Sequence, residues 1–128
     1  MIEVWKSVLQ EFYEVSNLGN VRSRDRVGAD GRRWMGKPIK LCPNARYLYF
    51  NASVNGEKSK ARVHVLVADQ FIGPRPVRME INHKDGDLKN NVYLNLEYAT
   101  RKKNAEHAAR KGLMPTKANG RWKRTWRP

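Results

Sequence analysis

The chain has 128 residues, of which 40% are hydrophobic, enough for one modest core with or without a tail and too many for a chain disordered throughout. Lys and Arg number 26 against 12 Asp and Glu, a formal charge of +14 that points to a phosphate-rich partner, whether DNA or the RNA of a ribosomal-type protein. The lone Cys42 excludes a disulfide framework and a cysteine zinc site; with no apolar run of membrane-spanning length and no opening signal peptide, the expectation is an intracellular protein without a membrane partner.

Val4 to Val21 reads as short extended pieces, with Tyr13-Glu14-Val15 strand-like and Ser16 to Asn20 a turn in which Gly19 is free to take positive φ. The run Val21 to Val27, if extended, places Arg22, Arg24 and Arg26 on one face because strand side chains alternate. Residues 28–36 read as loop. Asn55-Gly56 is a two-residue hairpin signal that sets Val54 opposite Glu57, Phe50 opposite Ala61 and Leu48 opposite Val63. One face of that hairpin is apolar; the other carries Tyr49, Asn51, Lys58, Lys60 and Arg62, a cationic ribbon of a width that fits the major groove of DNA.

Apolar residues at 63, 66, 67 and 71 have helical spacing and predict a helix ended by Gly73-Pro74. Residues 73–78 read as a linker. Strands are expected at Met79 to His83 and Leu94 to Ala99 around a polar loop, followed by a helix capped by Thr100 and running to about Lys111. The charge is uneven: residues 101–128 hold ten Lys or Arg and one Glu, so the end of the chain reads as a basic arm, in which Trp122 and Trp126 could stack on bases or pack on the body. The fold class is therefore α+β. Residues 1–72 form a β-rich binding module with a short helix, 73–112 a strand–loop–strand–helix unit, and 113–128 a basic tail.

The second unit concentrates the chemistry. His83 falls at the end of one strand, Asn95 at the start of the next and Asn104 one turn into the helix, so Asn82, His83 and Asn104 can converge. An imidazole near neutral pH is the best proton acceptor available, and carboxamide oxygens suit a hard dication. Asp85 and Asp87 flank Gly86 and read as turn residues; His64 reads as a packing or capping residue, and His107 as a solvated or phosphate-contacting one.

The segment INHKDGDLKNNVYLNLEYATRKKN resembles the HNH nuclease motif of the ββα-metal superfamily. The upstream VWKSV, YEVSNLGNVRS, YLYFNASVN and VHVLVADQFI resemble the DNA-binding module of phage and intron-encoded HNH homing endonucleases, so the likeness runs over residues 2–111. The resemblance implies a metal-dependent endonuclease acting on double-stranded DNA, with His83 as general base and Asn95 bracing the loop and orienting that histidine. It further implies Asn82 and Asn104 as ligands of Mg²⁺ or Mn²⁺, and 5′-phosphate and 3′-hydroxyl products. With one such site, a monomer should nick one strand, in the host cytoplasm if the gene is phage-borne. Related enzymes often carry Asp at the position of Asn82, which implies weak metal affinity here in the absence of DNA. The alternative is a DNA-binding protein without catalysis.

Overall fold

In a computed structural model of the protein, the described residues are 1–110 together with 117–118 and 121–122. Three antiparallel strands open the chain, β1 (Trp5–Val8), β2 (Tyr13–Ser16) and β3 (Val21–Ser23), in the order β1-β2-β3. The expected extended run from Val21 to Val27 is broken: β3 stops at Ser23, where Ser23 N–H turns to the Lys37 carbonyl at 2.8 Å. A separate β4 (Arg26–Val27) pairs with β5 (Arg33–Trp34), so residues 28–36, expected as loop, contain half of a small hairpin. The break ends the common face of Arg22, Arg24 and Arg26.

The next hairpin has the register expected from Asn55-Gly56. Strand β6 (Tyr49–Val54) meets β7 (Glu57–Arg62) with Val54 opposite Glu57 and Phe50 opposite Ala61, and both turn residues have positive φ, 52° and 80°. Asn-Gly suits this primed turn because Asn tolerates and Gly freely adopts the left-handed region that the twist of the flanking strands demands. Strand β7 runs directly into α1 (Val63–Phe71), the last rung being Val63 N–H to the Leu48 carbonyl at 3.1 Å. The helix buries Val63, His64, Val67 and Ala68, and Gly73 closes it by donating to the Ala68 carbonyl.

Strand β8 (Met79–His83) pairs with β9 (Leu96–Thr100), opposing His83 to Leu96 and Asn82 to Glu97. The second strand begins two residues later than expected, because Tyr93–Asn95 form a 3₁₀ turn that lowers the chain onto the Ser16–Asn20 turn, where Tyr93 N–H donates to the Asn17 carbonyl at 2.9 Å. Helix α2 (Arg101–Arg110) follows at once, its first turn capped by Thr100 Oγ1 accepting from Lys103 N–H at 3.2 Å, and packs on β8 and β9. The backbone pairs β10 (Lys117–Ala118) with β11 (Arg121–Trp122); the remainder of the basic tail, including Trp126, lies outside the described residues.

One apolar cluster, including Val15, Val21, Phe50, Val63, Val67 and Leu96, joins the N-terminal strands, the hairpin, α1 and β9. The core therefore crosses the Gly73-Pro74 seam, and the ββα unit rests on the N-terminal part. Among the described residues no helix is long and apolar enough to cross a membrane. Phe50 is fully buried, with its ring 5.2 Å from that of Tyr13. Truncation to alanine is expected to cost about 3–5 kcal/mol, combining lost transfer energy with a cavity. Urea unfolding followed by circular dichroism measures it, and a loss under about 1 kcal/mol would show that the hairpin is not the keystone of this core.

Candidate active site

Asn82 and His83 are neighbours on β8, and the pleat sends neighbouring side chains to opposite faces. Asn82 turns toward β9 and α2: its Nδ2 donates to Glu97 Oε1 at 2.9 Å across the ladder. Asn104, half-buried on α2, donates in the same way to Glu80 Oε1 at 3.4 Å. Each amide nitrogen is thus committed to a carboxylate, and the amide oxygen is left as the ligand-type atom. His83 turns the other way and is 2% exposed. Its ring lies 5.5 Å from that of His64 and 6.1 Å from that of Tyr47, and Tyr47 stacks on His64 at 4.3 Å. Because His83 is the last residue of its strand, both faces open into one cavity of about 810 Å³, lined by Glu80, Asn82, His83, Asn104, His107 and the 43–47 segment among others.

The imidazole is held by a residue the sequence reading passed over. His83 Nε2 lies 2.9 Å from Asn91 Oδ1, and Asn91 is itself 3% exposed. With an amide oxygen on that side, Nε2 carries the ring hydrogen and Nδ1 presents a lone pair. Nδ1 of His83 is buried without a protein partner, as are Nδ1 of His64 and Nδ2 of Asn91, the three such side-chain atoms among the described residues. Unpaired buried polar atoms cost roughly 1–3 kcal/mol each, and here they cluster around one histidine. Burial lowers the His83 pKa from the usual histidine range, against the opposing pull of the Asn91 bond and the charges of Asp85 and Asp87. The ring is neutral at neutral pH.

Asn95 sits in the 3₁₀ turn and braces the loop as expected, with its Oδ1 accepting from Asp85 N–H at 3.0 Å and its Nδ2 donating to Asp85 Oδ1 and the Asn90 carbonyl, both at 2.9 Å; it makes no direct hydrogen bond to the imidazole. Asp85 is a turn residue, bonded also by Asn90 Nδ2 and Asp87 N–H, and these bonds, the Asn90 one foremost, depress its pKa. His107 Nε2 donates to the Lys84 carbonyl at 2.9 Å, tying α2 to the loop that follows His83. The adjacent Asn90-Asn91 pair ahead of the second strand was the one available sequence signal for the missed residue.

Among the described residues no group of three or more His, Cys, Asp or Glu could hold a metal. The donors that line the cavity on this side, the Asn82 and Asn104 carboxamides and the Glu80 carboxylate, fit a hard oxygen-seeking dication whose shell a phosphate would complete, and they do not fit zinc.

The cationic residues fall into two groups. Arg22, half-exposed, is tied to its own sheet, 2.8 Å from Glu14 and over the Trp5 ring at 3.9 Å; Arg24 reaches Ser7 Oγ at 3.2 Å, and the exposed Arg26 lies over Phe12 and Trp34. Asn51, Lys58, Lys60 and Arg62 are exposed on the outer face of the hairpin, with Lys60 Nζ 5.0 Å from the centre of the Tyr49 ring. A second groove of about 620 Å³, lined by Tyr49, Lys60 and Arg62, shares the Ala45-Arg46-Tyr47 wall with the first cavity.

A β-hairpin and a helix thus place a buried histidine and two amides around one cavity in a ββα arrangement. Residues 61–106 match the family model for HNH endonuclease, and residues 3–55 match the NUMOD4 motif. The chain carries an HNH endonuclease domain behind a NUMOD4 motif. It is 36% identical over 114 residues to an uncharacterized HNH endonuclease of Acanthamoeba polyphaga mimivirus, covering 88% of this chain and 32% of that protein. It is 30% identical over 113 residues to the DNA endonuclease I-HmuI of Bacillus phage SP01, covering 86% of this chain and 60% of the other. A solved structure of DNA binding and cleavage by the HNH homing endonuclease I-HmuI aligns with a TM-score of 0.70 at 29% identity, over 88% of this chain and 62% of that one. The chain thus spans less than two thirds of these relatives.

Burial lowers the His64 pKa to about 3. The unfolded chain binds that proton near the usual histidine value and the folded chain does not, so stability is complete above about pH 6.5 and falls as the pH drops toward 3. The slope from this group approaches about 1.4 kcal/mol per pH unit. His64→Phe should remove that share in urea titrations between pH 7 and 4, leaving the smaller share from His83; an unchanged slope would mean that His64 does not fold neutral.

Proposed function

We propose that this protein is a metal-dependent DNA endonuclease that hydrolyses one phosphodiester bond per encounter, with His83 as general base. The observation that carries the reading is the His83–Asn91 bond of 2.9 Å, which leaves Nδ1, buried and without a protein partner, as the free lone pair of a histidine that lines one cavity with Asn82 and Asn104. That pattern, an imidazole fixed at one nitrogen and bare at the other, is what proton abstraction from water requires. The cationic hairpin adjoining the same cavity supports duplex DNA as substrate, in keeping with the binding and cleavage of DNA by the relative I-HmuI.

On this reading, Lys58, Lys60 and Arg62 meet the phosphate backbone while Tyr49 and Asn51 face the groove, and the scissile phosphate enters beneath Arg46 and Tyr47. His83 Nδ1 takes a proton from water, and the oxygen attacks phosphorus in line as the bond to the 3′ oxygen breaks, the departing 3′ oxygen taking its proton from solvent. Asn91 Oδ1 continues to accept from Nε2–H of the resulting imidazolium, and the negative field of Asp85 and Asp87 favours that charge. Asn82 and Asn104 would hold one Mg²⁺ or Mn²⁺, which when bound supplies Lewis-acid stabilisation of the phosphoryl oxygens and leaving group. A single site supports nicking by a monomer.

His83→Ala should lower nicking of supercoiled plasmid by about 10²–10⁴-fold with gel-shift affinity retained; nicking at the wild-type rate would refute the assignment, and an inert wild-type protein that still shifts DNA would favour the pure binder. Asn82→Asp places a second carboxylate against Glu97, where the amide now stands at 2.9 Å. The variant should be less stable than wild type in EDTA, bind Mn²⁺ more tightly by calorimetry, and regain stability on adding the ion. Equal Mn²⁺ affinity in the two proteins would remove residue 82 from the metal site.

A further inference from the structure

Asn91 decides the usable tautomer of His83, yet its own hydrogen bonds do not decide its position. Its Oδ1 meets the imidazole, and its Nδ2 is buried without a partner. An amide anchored by one bond must be held by packing. What packs against it comes from the far end of the chain. A methyl built on Gly19 would lie 3.0 Å from Asn91 Cβ and 3.1 Å from the Asn91 carbonyl oxygen, closer than nearly all real contacts of that kind, and Gly19 has a φ of +87°. Only glycine satisfies both the backbone angle and the approach. Two residues further on, Tyr93 N–H donates to the Asn17 carbonyl at 2.9 Å, so the turn grips the segment on both sides of Val92.

The turn itself is rigid. Asn17 is 5% exposed; its Oδ1 accepts from Val4 N–H at 2.8 Å and its Nδ2 donates to the Ile2 carbonyl at 3.0 Å. Ser16 is fully buried, and its Oγ accepts from the N–H groups of Leu18 and Asn20. These bonds close within the N-terminal segment and make no demand on the nuclease unit, so the turn is a fixed surface against which Asn91 is seated.

We propose that the Ser16–Asn20 turn of the NUMOD4 segment is a positioning element of the nuclease site, with Gly19 seating Asn91 so that its amide oxygen meets His83 Nε2 and leaves Nδ1 bare. The inference rests on the reading of His83 as the base. It assigns the N-terminal motif a part in catalysis in addition to any contact with DNA. A displacement of a few tenths of an ångström at Asn91 Cβ is amplified along the side chain and acts on a bond of 2.9 Å.

The test uses the full chain labelled with ¹⁵N-histidine, whose long-range ¹H–¹⁵N spectrum shows which ring nitrogen of His83 carries the hydrogen. Wild type should show the Nε2–H form; the Nδ1–H form in wild type would overturn the proposal without any variant. Gly19→Ala should mix the two forms and slow plasmid nicking by about 10–100-fold, with gel-shift affinity unchanged. Gly31→Ala is the control for backbone cost, since Gly31 has a φ of +83° with nothing within 4 Å, and it should leave both readouts at wild type. Gly19→Asn keeps the close Cβ with less penalty at positive φ and serves if the alanine variant does not fold. A folded Gly19 variant with wild-type tautomer and rate, or a Gly31 variant with the same defect, would overturn the proposal. Failure of the nuclease reading shows separately, as nicking by His83→Ala.

Discussion

The pleat of a single strand is the constraint on which this architecture depends. Two neighbouring residues, Asn82 and His83, must serve one cavity, and a strand sends neighbours to opposite sides. A flat hairpin cannot bring them together. The solution is to place the pair at the strand end and to build a wall on each side: β9 and α2 on the amide side, through Glu97, Glu80 and Asn104, and α1 with the loop before β9 on the imidazole side, through His64 and Asn91. Neither wall suffices alone, which is why one apolar cluster crosses from the N-terminal strands into β9.

The imidazole side carries the energetic cost. His64 and His83 are both buried, their pKa values are lowered by burial, and each has an Nδ1 without a partner. A core built for stability alone would fill this place with aliphatic side chains. The protein instead stacks Tyr47 and His64 beside His83, where burial makes the neutral imidazole the stable form and no neighbouring protein donor takes up its lone pair. Packing of the fully buried Phe50, Val63 and Val67 in the core offsets that cost.

Most of the local structure was legible because it rests on short-range chemistry. Asn55-Gly56 determines a turn whose twist fixes the register of twelve residues, and the capping hydroxyl of Thr100 marks the start of α2. What misled is non-local. Arg22, Arg24 and Arg26 alternate in sequence, but the Lys37 carbonyl captures Ser23 and ends the strand between them, while Glu14 and Trp5 hold Arg22 against its own sheet. Asn91 precedes one turn and Asn95 ends it, and spacing alone does not say which reaches the ring; the 3₁₀ turn at Tyr93–Asn95 settles it by folding Asn95 back on Asp85. The contact of Gly19 with Asn91 spans most of the chain and leaves no local signature beyond the glycine itself.

Charge and site chemistry are complementary on the proposed reading. A dication held by two neutral amides is held weakly, because hard cations derive most of their affinity from anionic oxygen. Glu80 and Glu97 are one hydrogen bond removed from the cavity oxygens, so their charge reaches the cation while their atoms orient the ligands. The remaining anionic oxygen must come from the substrate, and a chain of charge +14 concentrates that polyanion at its surface. Metal and DNA would then bind cooperatively, each supplying what the other lacks. An endonuclease built in this way has little means of assembling its reactive site before a phosphate backbone is in place, which restrains hydrolysis to the bound duplex without any separate regulatory element.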